Sequence, residues 1–431
     1  MTGLVLGAFA ASPGPASAQA VQRARPYVPG ELIVRYRPGT RGVAEALSRA
    51  GTARRLPGGA MRLRVAGRGS VHEALDRFRR DPDVAYAVRN PTARASGFYP
   101  NDPGFALQWN LAGPYGINMP DAWALASARS APGGRGVVVA VLDTGVAYRA
   151  RGRLRRAPDL HSFVRGYDFV DDDPYPLDLN GHGTHVAGTI AEATNNGIGA
   201  AGVAYGARIM PVRTLDASGD GDAVTVTRGI RYAVRHGADV INLSLEFPPS
   251  VGAAQLPELL AAIEDARAHG VVITTVAGNE GTSADLPFPG RSSGVIAVAA
   301  TTSHGCKGSY SNTGPEVDVA APGGGPDAAL ADDPWDVAHC RPGGAGRSIY
   351  QQTLEPGLLR FALPAGYYGT SMAAPHVAGL AALIIASGKL GPHPAPVAVQ
   401  QLIEQTARDI GPAGYDARYG YGLVDAAAAL R

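Results

Sequence analysis

Three short stretches of this chain set a carboxylate, an imidazole and a hydroxyl beside glycine. They are Asp143 in Val139-Ala140-Val141-Leu142-Asp143-Thr144-Gly145, His182 in Asn180-Gly181-His182-Gly183-Thr184-His185, and Ser371 in Gly369-Thr370-Ser371-Met372-Ala373-Ala374-Pro375-His376. A serine hydroxyl is a weak nucleophile until an imidazole takes its proton, and the imidazole needs a carboxylate to hold its tautomer and stabilise its charged form. Asp143, His182 and Ser371 are candidates for those roles, in the chain order Asp, His, Ser. Acyl transfer also needs a donor for the developing oxyanion. Asn279, in Thr275-Val276-Ala277-Gly278-Asn279-Glu280-Gly281, follows an apolar run and is the candidate, and Ser371 at a helix start adds its own N–H.

Residues so far apart in sequence meet only if the fold gathers them. From Gly136 onward, short β-branched runs alternate with longer helical segments. The predicted strands are Val137 to Leu142, Arg208 to Arg213, Val240 to Leu245, Val271 to Val276 and Val295 to Ala299; helices are expected over Ala223 to Gly237 and Pro257 to Gly270. Runs that are apolar on both faces and alternate with helices imply an α/β domain, a mainly parallel sheet with helices on both faces. In such sheets the working crevice lies at the carboxyl ends of the strands, where Asp143, His182 and Ser371 can converge. Ahead of it, residues 29–90 read as a small α+β unit, with strands at Glu31 to Tyr36, Met61 to Val65 and Val84 to Val88 and helices at Val43 to Ala50 and Val71 to Arg80. Asn90 to Gly104 is the expected linker, and Pro322 to Gly366, dense in Gly, Pro and Asp, reads as a long surface insertion.

Composition narrows the class. Of 431 residues 45% are hydrophobic and 18% charged, enough apolar surface for a large core. No apolar run reaches the length of a membrane span. Lys and Arg number 39 against 37 acids, a balance that gives no reason to expect nucleic acid as a partner. The charge is unevenly placed: residues 21–94 carry 16 Lys or Arg against 6 acids, and residues 95–431 carry 23 against 31. The first twenty residues are uncharged, with an apolar block at Leu4 to Ala11 and the small-x-small site Ala16-Ser17-Ala18. They read as a signal peptide lacking the usual positive start, and hence as a secreted protein, extracellular or periplasmic. Cys306 and Cys340 are the only cysteines; in an exported protein they are expected to form one disulfide that pins the insertion.

With its motifs in the order Asp, His, Ser, with Ala277-Gly278-Asn279 and with the closing Gly420-Tyr421-Gly422-Leu423-Val424-Asp425, the chain from about Gln108 onward resembles the subtilisin-like serine proteases, or subtilases. The resemblance implies a secreted, monomeric endopeptidase acting on protein or peptide substrates, with no catalytic cofactor. Residues 29–90 resemble, more loosely, the propeptide of that family, which serves as folding chaperone and intramolecular inhibitor. The implied organisation is a signal peptide at 1–20, a propeptide at 21–94 and a catalytic domain at 95–431, with maturation between about Asn90 and Phe98. A lipase or esterase with the same triad is set aside because Ser371 lacks the Gly-x-Ser-x-Gly elbow; a non-catalytic module on the same fold stays as the alternative. His185 and His376 are expected to be packed core histidines.

The resemblance also implies structural calcium, at one or two sites. Asp168, Asp171 and Asp173 have the close spacing of one family site. Asn196, the carbonyls of Thr194, Ile198 and Ala200, Asp159 and Gln108 match the other. Substrate is expected to lie between Gly219-Asp220-Gly221 on one side and Ser244-Leu245-Glu246 with Val276-Ala277-Gly278 on the other. Glu246, where the family usually has Gly, joins Asp220, Asp222, Glu280 and Asp285 in an acidic groove expected to favour Arg or Lys near the scissile bond, weakening as salt rises.

Overall fold

A computed structural model describes residues 27–40, 43, 51–65, 71–91 and 97–431, except 284, 331, 333, 343, 345, 356 and 359. The expected signal peptide, most of the helix at Val43 to Ala50 and the centre of the expected cleavage region lie outside the described residues. The chain divides into two compact units between residues 95 and 96.

The first unit is a four-stranded antiparallel sheet in the order β2-β3-β1-β4, built from β1 (Tyr27–Tyr36), β2 (Gly51–Arg55), β3 (Met61–Val65) and β4 (Val84–Pro91). A helix, α1 (Val71–Arg80), places Ala74, Leu75 and Phe78 against Leu32, Val34, Leu63, Val84 and Ala87. The alternation of β1 explains this, since Leu32 and Val34 are fully buried while Arg35 is exposed. β2, with four exposed residues in Gly51–Arg55, had no apolar period to reveal it.

The second unit carries a seven-stranded parallel sheet in the order β11-β10-β9-β8-β5-β7-β6. Its strands are β5 (Val138–Asp143), β6 (Tyr167–Asp168), β7 (Arg208–Arg213), β8 (Val240–Leu243), β9 (Val272–Val276), β10 (Ile296–Thr301) and β11 (Val319–Pro322). All six residues of β5 are buried, which is what a strand covered on both faces requires. Val139 and Val141 face a core shared with α3 (His182–Ala191) and α7 (Thr370–Ala386), while Val138, Ala140 and Leu142 face one shared with α4 (Ala223–Arg235) and α5 (Pro257–Ala268). Also on the first face lie α2 (Met119–Ala128), α8 (Pro396–Thr406) and α9 (Ala426–Leu430).

One feature differs from the sequence reading and one agrees with it. The stretch expected to be a surface insertion supplies core: Ile349, Gln351 and Thr353 are fully buried, and Leu354 nearly so. Thr353 and Leu354 form β12, paired antiparallel with β13 (Phe361–Ala362). Its buried polar residues satisfy themselves by specific hydrogen bonds, which leave no hydrophobic period in the sequence. The two cysteines are joined as expected, Cys306 to Cys340, with Cα atoms 5.5 Å apart across a sequence separation of 34. Cys340 follows a short helix, α6 (Pro334–His339).

Candidate active site

β5 ends on Asp143, fully buried, and α3 begins on His182. His182 Nδ1 donates to Asp143 Oδ1 at 2.7 Å, and that same oxygen accepts from Thr144 N at 2.7 Å. Getting a helix start this close to a strand end needs two glycines. A Cβ on Gly183 would lie 2.1 Å from Gly145 O and 3.0 Å from Asp143 Oδ1. Gly181, which caps the helix, sits at φ 109°, a conformation that side-chain-bearing residues rarely adopt.

A residue absent from the motifs holds this corner. Asp178 is buried and accepts from Thr144 Oγ1 (2.9 Å), Asn180 N (2.9 Å), Gly181 N (2.8 Å), Thr184 N (2.9 Å) and Thr184 Oγ1 (2.6 Å). It thus ties the end of β5 to the first turn of α3, where unsatisfied N–H groups favour a carboxylate. Thr353 Oγ1 donates to Gly181 O, adding a bond from the segment of β12. For His182 itself, burial disfavours the charged ring, but the Asp143 charge and hydrogen bond outweigh it and hold the imidazole above its usual value.

Ser371 is the second residue of α7. Pro375 sits four residues further along and has no N–H to give the Ser371 carbonyl. That carbonyl accepts instead from Ser244 Oγ at 2.9 Å, while Ser371 Oγ donates to Ser244 O at 3.3 Å. Ser244, just beyond β8, is therefore bonded twice to the hydroxyl-bearing residue. Asn279, just beyond β9, has its Oδ1 held by Thr370 N (2.9 Å) and Thr370 Oγ1 (3.0 Å). This fixes the amide so that Nδ2 is its free end, with Glu246 Oε1 as its acceptor at 3.4 Å. Thr144, Ser244, Asn279 and Ser371 all lie at strand carboxyl ends or the adjoining helix starts, where the sequence pattern placed the crevice.

The expected substrate segments adjoin these residues. Asp216 Oδ1 accepts from Ser218 N (2.7 Å) and Asp220 N (3.1 Å), folding the Gly219-Asp220-Gly221 turn, and Asn180 Nδ2 donates to Ala217 O at 3.0 Å beside His182. Leu245, Val276 and Ala277 are buried. The acidic groove is thinner than expected. Asp222 caps α4 by accepting from Thr225 N at 2.8 Å, Glu280 accepts from Asn312 Nδ2 at 2.6 Å, and Asp285 lies 3.7 Å from Arg291.

The first expected calcium cluster has a different occupant. Arg213 Nη1, at the end of β7, bonds Asp168 Oδ2 at 2.8 Å and Asp171 Oδ2 at 2.6 Å, and Asp173 faces Arg151 at 3.5 Å. The guanidinium supplies the positive charge, and among the described residues no three acids, histidines or cysteines converge on a common metal position. At the second site Gln108 is not available: Nε2 donates to Ala201 O and Gln351 Oε1, both at 2.8 Å, and Oε1 accepts from Ala201 N at 2.8 Å. Asp102 takes its place on the loop, accepting from Asn195 N (2.6 Å), Asn196 N (2.9 Å) and Gly197 N (3.1 Å). Asp159 Oδ1 accepts from Asn196 Nδ2 at 2.6 Å, and the buried Asp159 and Glu192 carboxyls pair with each other, Asp159 Oδ2 and Glu192 Oε1 having no other hydrogen-bond partner. Burial first, and then the charge of Asp102, push Asp159 up to about 6. Burial and the charge of Asp159 hold Glu192 well above the usual carboxyl range, and two buried carboxyls facing each other at one loop are a donor set that a hard divalent cation fits in place of their shared proton. Thr194 turns its hydroxyl to Glu192 O at 3.1 Å, leaving its carbonyl, with those of Ile198 and Ala200, as the expected backbone ligands.

His185 is buried, donates Nε2–H to Ile349 O at 3.0 Å and stacks on Tyr367 with ring centres 4.3 Å apart. His376 Nδ1 donates to Met372 O at 2.8 Å, its Nε2 facing Asn110 Nδ2 at 2.8 Å.

Comparison with known proteins follows the same two-part division. Residues 134–422 match the model of the subtilase family of peptidases, and residues 13–90 match that of the fervidolysin N-terminal prodomain. A thermophilic serine proteinase of Bacillus sp. (strain AK1) is 35% identical over 400 residues, covering 91% of this chain and 86% of that protein. Thermitase of Thermoactinomyces vulgaris is 38% identical over 318 residues, 74% of this chain and 94% of its own. Among solved structures, a protease from Pseudoalteromonas arctica PAMC 21717 superposes with a TM-score of 0.62 at 34% identity, covering 77% of this chain and 98% of that one.

Proposed function

Since the chain belongs to the subtilase family, and is thus a serine peptidase with an amino-terminal prodomain, we propose that it is a secreted endopeptidase working through Asp143, His182 and Ser371. The observation that carries this reading is the 2.7 Å bond from His182 Nδ1 to the buried Asp143 carboxylate, which leaves Nε2 as the ring's free base. In the reaction so inferred, His182 Nε2 takes the Ser371 hydroxyl proton as Oγ bonds the scissile carbonyl carbon. The oxyanion is received by Asn279 Nδ2 and the Ser371 N–H. Collapse breaks the C–N bond, the amine leaves with the proton from His182, and water repeats the sequence on the acyl-enzyme to free the acid and restore Ser371. Neither stage needs a cofactor.

A serine-directed fluorophosphonate is expected to label the mature protein once per chain, and Ser371→Ala to abolish the label. Equal labelling of the variant would remove Ser371 from the role. The non-catalytic alternative would show as absent labelling of the wild type.

Residues 1–20 are read as the signal peptide, 21–94 as the propeptide and 95–431 as the catalytic domain; the net positive charge of the propeptide against the net negative charge of the catalytic chain suits an intramolecular inhibitor. The uncharged leader with its small-x-small site supports export. A monomer is the expected state. No helix among the described residues is long and apolar enough to cross a membrane.

For calcium, the supported ligands are Asp159, Asn196, Asp102 and the carbonyls of Thr194, Ile198 and Ala200. The ion would supply positive charge to the facing Asp159 and Glu192 carboxyls in place of the proton they share. Excess calcium is expected to raise unfolding stability by about 3 to 4 kcal/mol at a hundred to a thousand times the dissociation constant, and Asp159→Asn to shrink that gain. Identical melting curves in calcium and in chelator would count against the site.

A further inference from the structure

Of the acids near the groove, Glu246 alone meets the reacting residues. Ser244, two residues before it, is bonded to Ser371 at both its hydroxyl and its carbonyl. Glu246 Oε1 accepts from Asn279 Nδ2 at 3.4 Å. The other oxygen, Oε2, is buried and has no hydrogen-bond partner, and it lies where a Cβ on Gly278 would come within 2.9 Å. Among the described residues the carboxylate forms no ion pair, and the charge acting on it is that of Glu280. On the reading of Ser371 as nucleophile and Asn279 as oxyanion donor, the substrate residue whose carbonyl is attacked must set its side chain near both, and Glu246 touches Asn279 and follows by two residues the Ser244 that is bonded to Ser371.

We propose that Glu246 determines specificity by pairing its carboxylate with a lysine or arginine side chain on the substrate residue that donates the scissile carbonyl. The pairing acts twice. It gives a carboxylate without an ion pair a charged donor. It also cancels a negative charge sitting 3.4 Å from the very amide nitrogen that must receive the oxyanion, where an unpaired carboxylate opposes the charge developing in the transition state. A substrate with an uncharged side chain leaves that carboxylate unpaired and is rejected for it.

The effect depends on the charge state of Glu246. Burial, and then Glu280, push this carboxyl up to about 7. Below that value it is neutral and uncharged side chains are tolerated; above it the preference for a cation grows. The other charged groups around it are accounted for: Glu280 is bonded to Asn312 at 2.6 Å, and in the loop that reaches Gly278 through Pro287, Asp285 and Arg291 face each other at 3.7 Å. His182 titrates as well, but its protonation affects all substrates alike and divides out of a ratio.

The test is the ratio of kcat/KM for two peptides that differ only in arginine against its uncharged isostere citrulline at that position. It is measured from below to above the Glu246 value, in wild type and in Glu246→Gln, which keeps an acceptor for Asn279. Wild type should favour arginine by about tenfold or more at the alkaline end, with the ratio shrinking toward acid. Glu246→Gln should bring the ratio near one and flatten its pH dependence. An unchanged ratio in Glu246→Gln, or a preference for citrulline in wild type, overturns the proposal. Should Glu246→Gln fail to fold, the wild-type ratio alone decides, and a ratio flat with pH overturns it. Fluorophosphonate titration of wild type separates the two layers: labelling with an unmoved ratio sinks this inference only, whereas absent labelling sinks the protease reading beneath it.

Discussion

Replacing Asp143 by Asn should lower kcat by about four orders of magnitude while leaving the protein folded, and it should move the acid limb of the pH profile to lower pH. The first effect follows from the tautomer. An amide at position 143 can present its N–H to His182 Nδ1, which then accepts, so that the ring proton sits on Nε2 and the base facing the serine is lost. The second follows from the balance around the imidazole. Burial lowers the His182 value and the Asp143 charge raises it, the latter winning. Remove the charge and burial is opposed only by the weaker influence of Asp178, so the ring loses its proton at a lower pH than in wild type. His182→Ala should cost at least as much in kcat, and combining it with Ser371→Ala should add almost nothing, because the residues act as a unit. Full kcat in Asp143→Asn, or losses that multiply in the double variant, would argue that hydrolysis takes another route.

Asn279→Ala should reduce kcat by about a hundred- to a thousandfold with KM nearly unchanged. On the proposed mechanism its Nδ2 receives the oxyanion, a charge absent from the bound substrate, so the loss falls on the transition state and spares binding. The two bonds from Thr370 to Asn279 Oδ1 permit a control. Asn279→Asp keeps an acceptor for Thr370 yet has no N–H to give, and so should be at least as impaired as the alanine variant. If Asn279→Asp kept most of its activity, the side chain would be positioning the start of α7 and not receiving charge.

The catalytic candidates were legible because their chemistry demands particular neighbours. Gly181 and Gly183 flank His182 since no larger residue could bring that helix start against the end of β5, and such constraints leave a motif. The strands of the second unit were legible for a related reason, since burial on both faces leaves β5 no polar position except its terminal Asp143. What escaped was held by single polar residues making many bonds. Asp178 carries five hydrogen bonds, yet in sequence it is one acid in a loop of Pro and Leu. Ser244 matters because Pro375, over a hundred residues away, denies a carbonyl its usual donor. The acids around Asp168 suggested a metal because their spacing does, but the arginine that answers them comes from β7. Gln108 misled in the opposite sense: position singled it out, while Ala201 and Gln351 consume its amide and Asp102 does the loop binding. Ile349 to Leu354 was hidden by its own irregularity.

The order in which the site's residues occur along the chain has a consequence for timing. A ribosome delivers Asp143 first, then His182, Ser244 and Asn279, and Ser371 last, when more than four-fifths of the 431 residues have emerged. All seven strands of the main sheet precede it, so the nascent protein can assemble its sheet while it still lacks the proposed nucleophile. With Ser371 as the proposed nucleophile, truncated products ending before residue 371 lack the reacting hydroxyl, and a cell that makes this enzyme is exposed to its activity only from molecules whose synthesis has passed that residue.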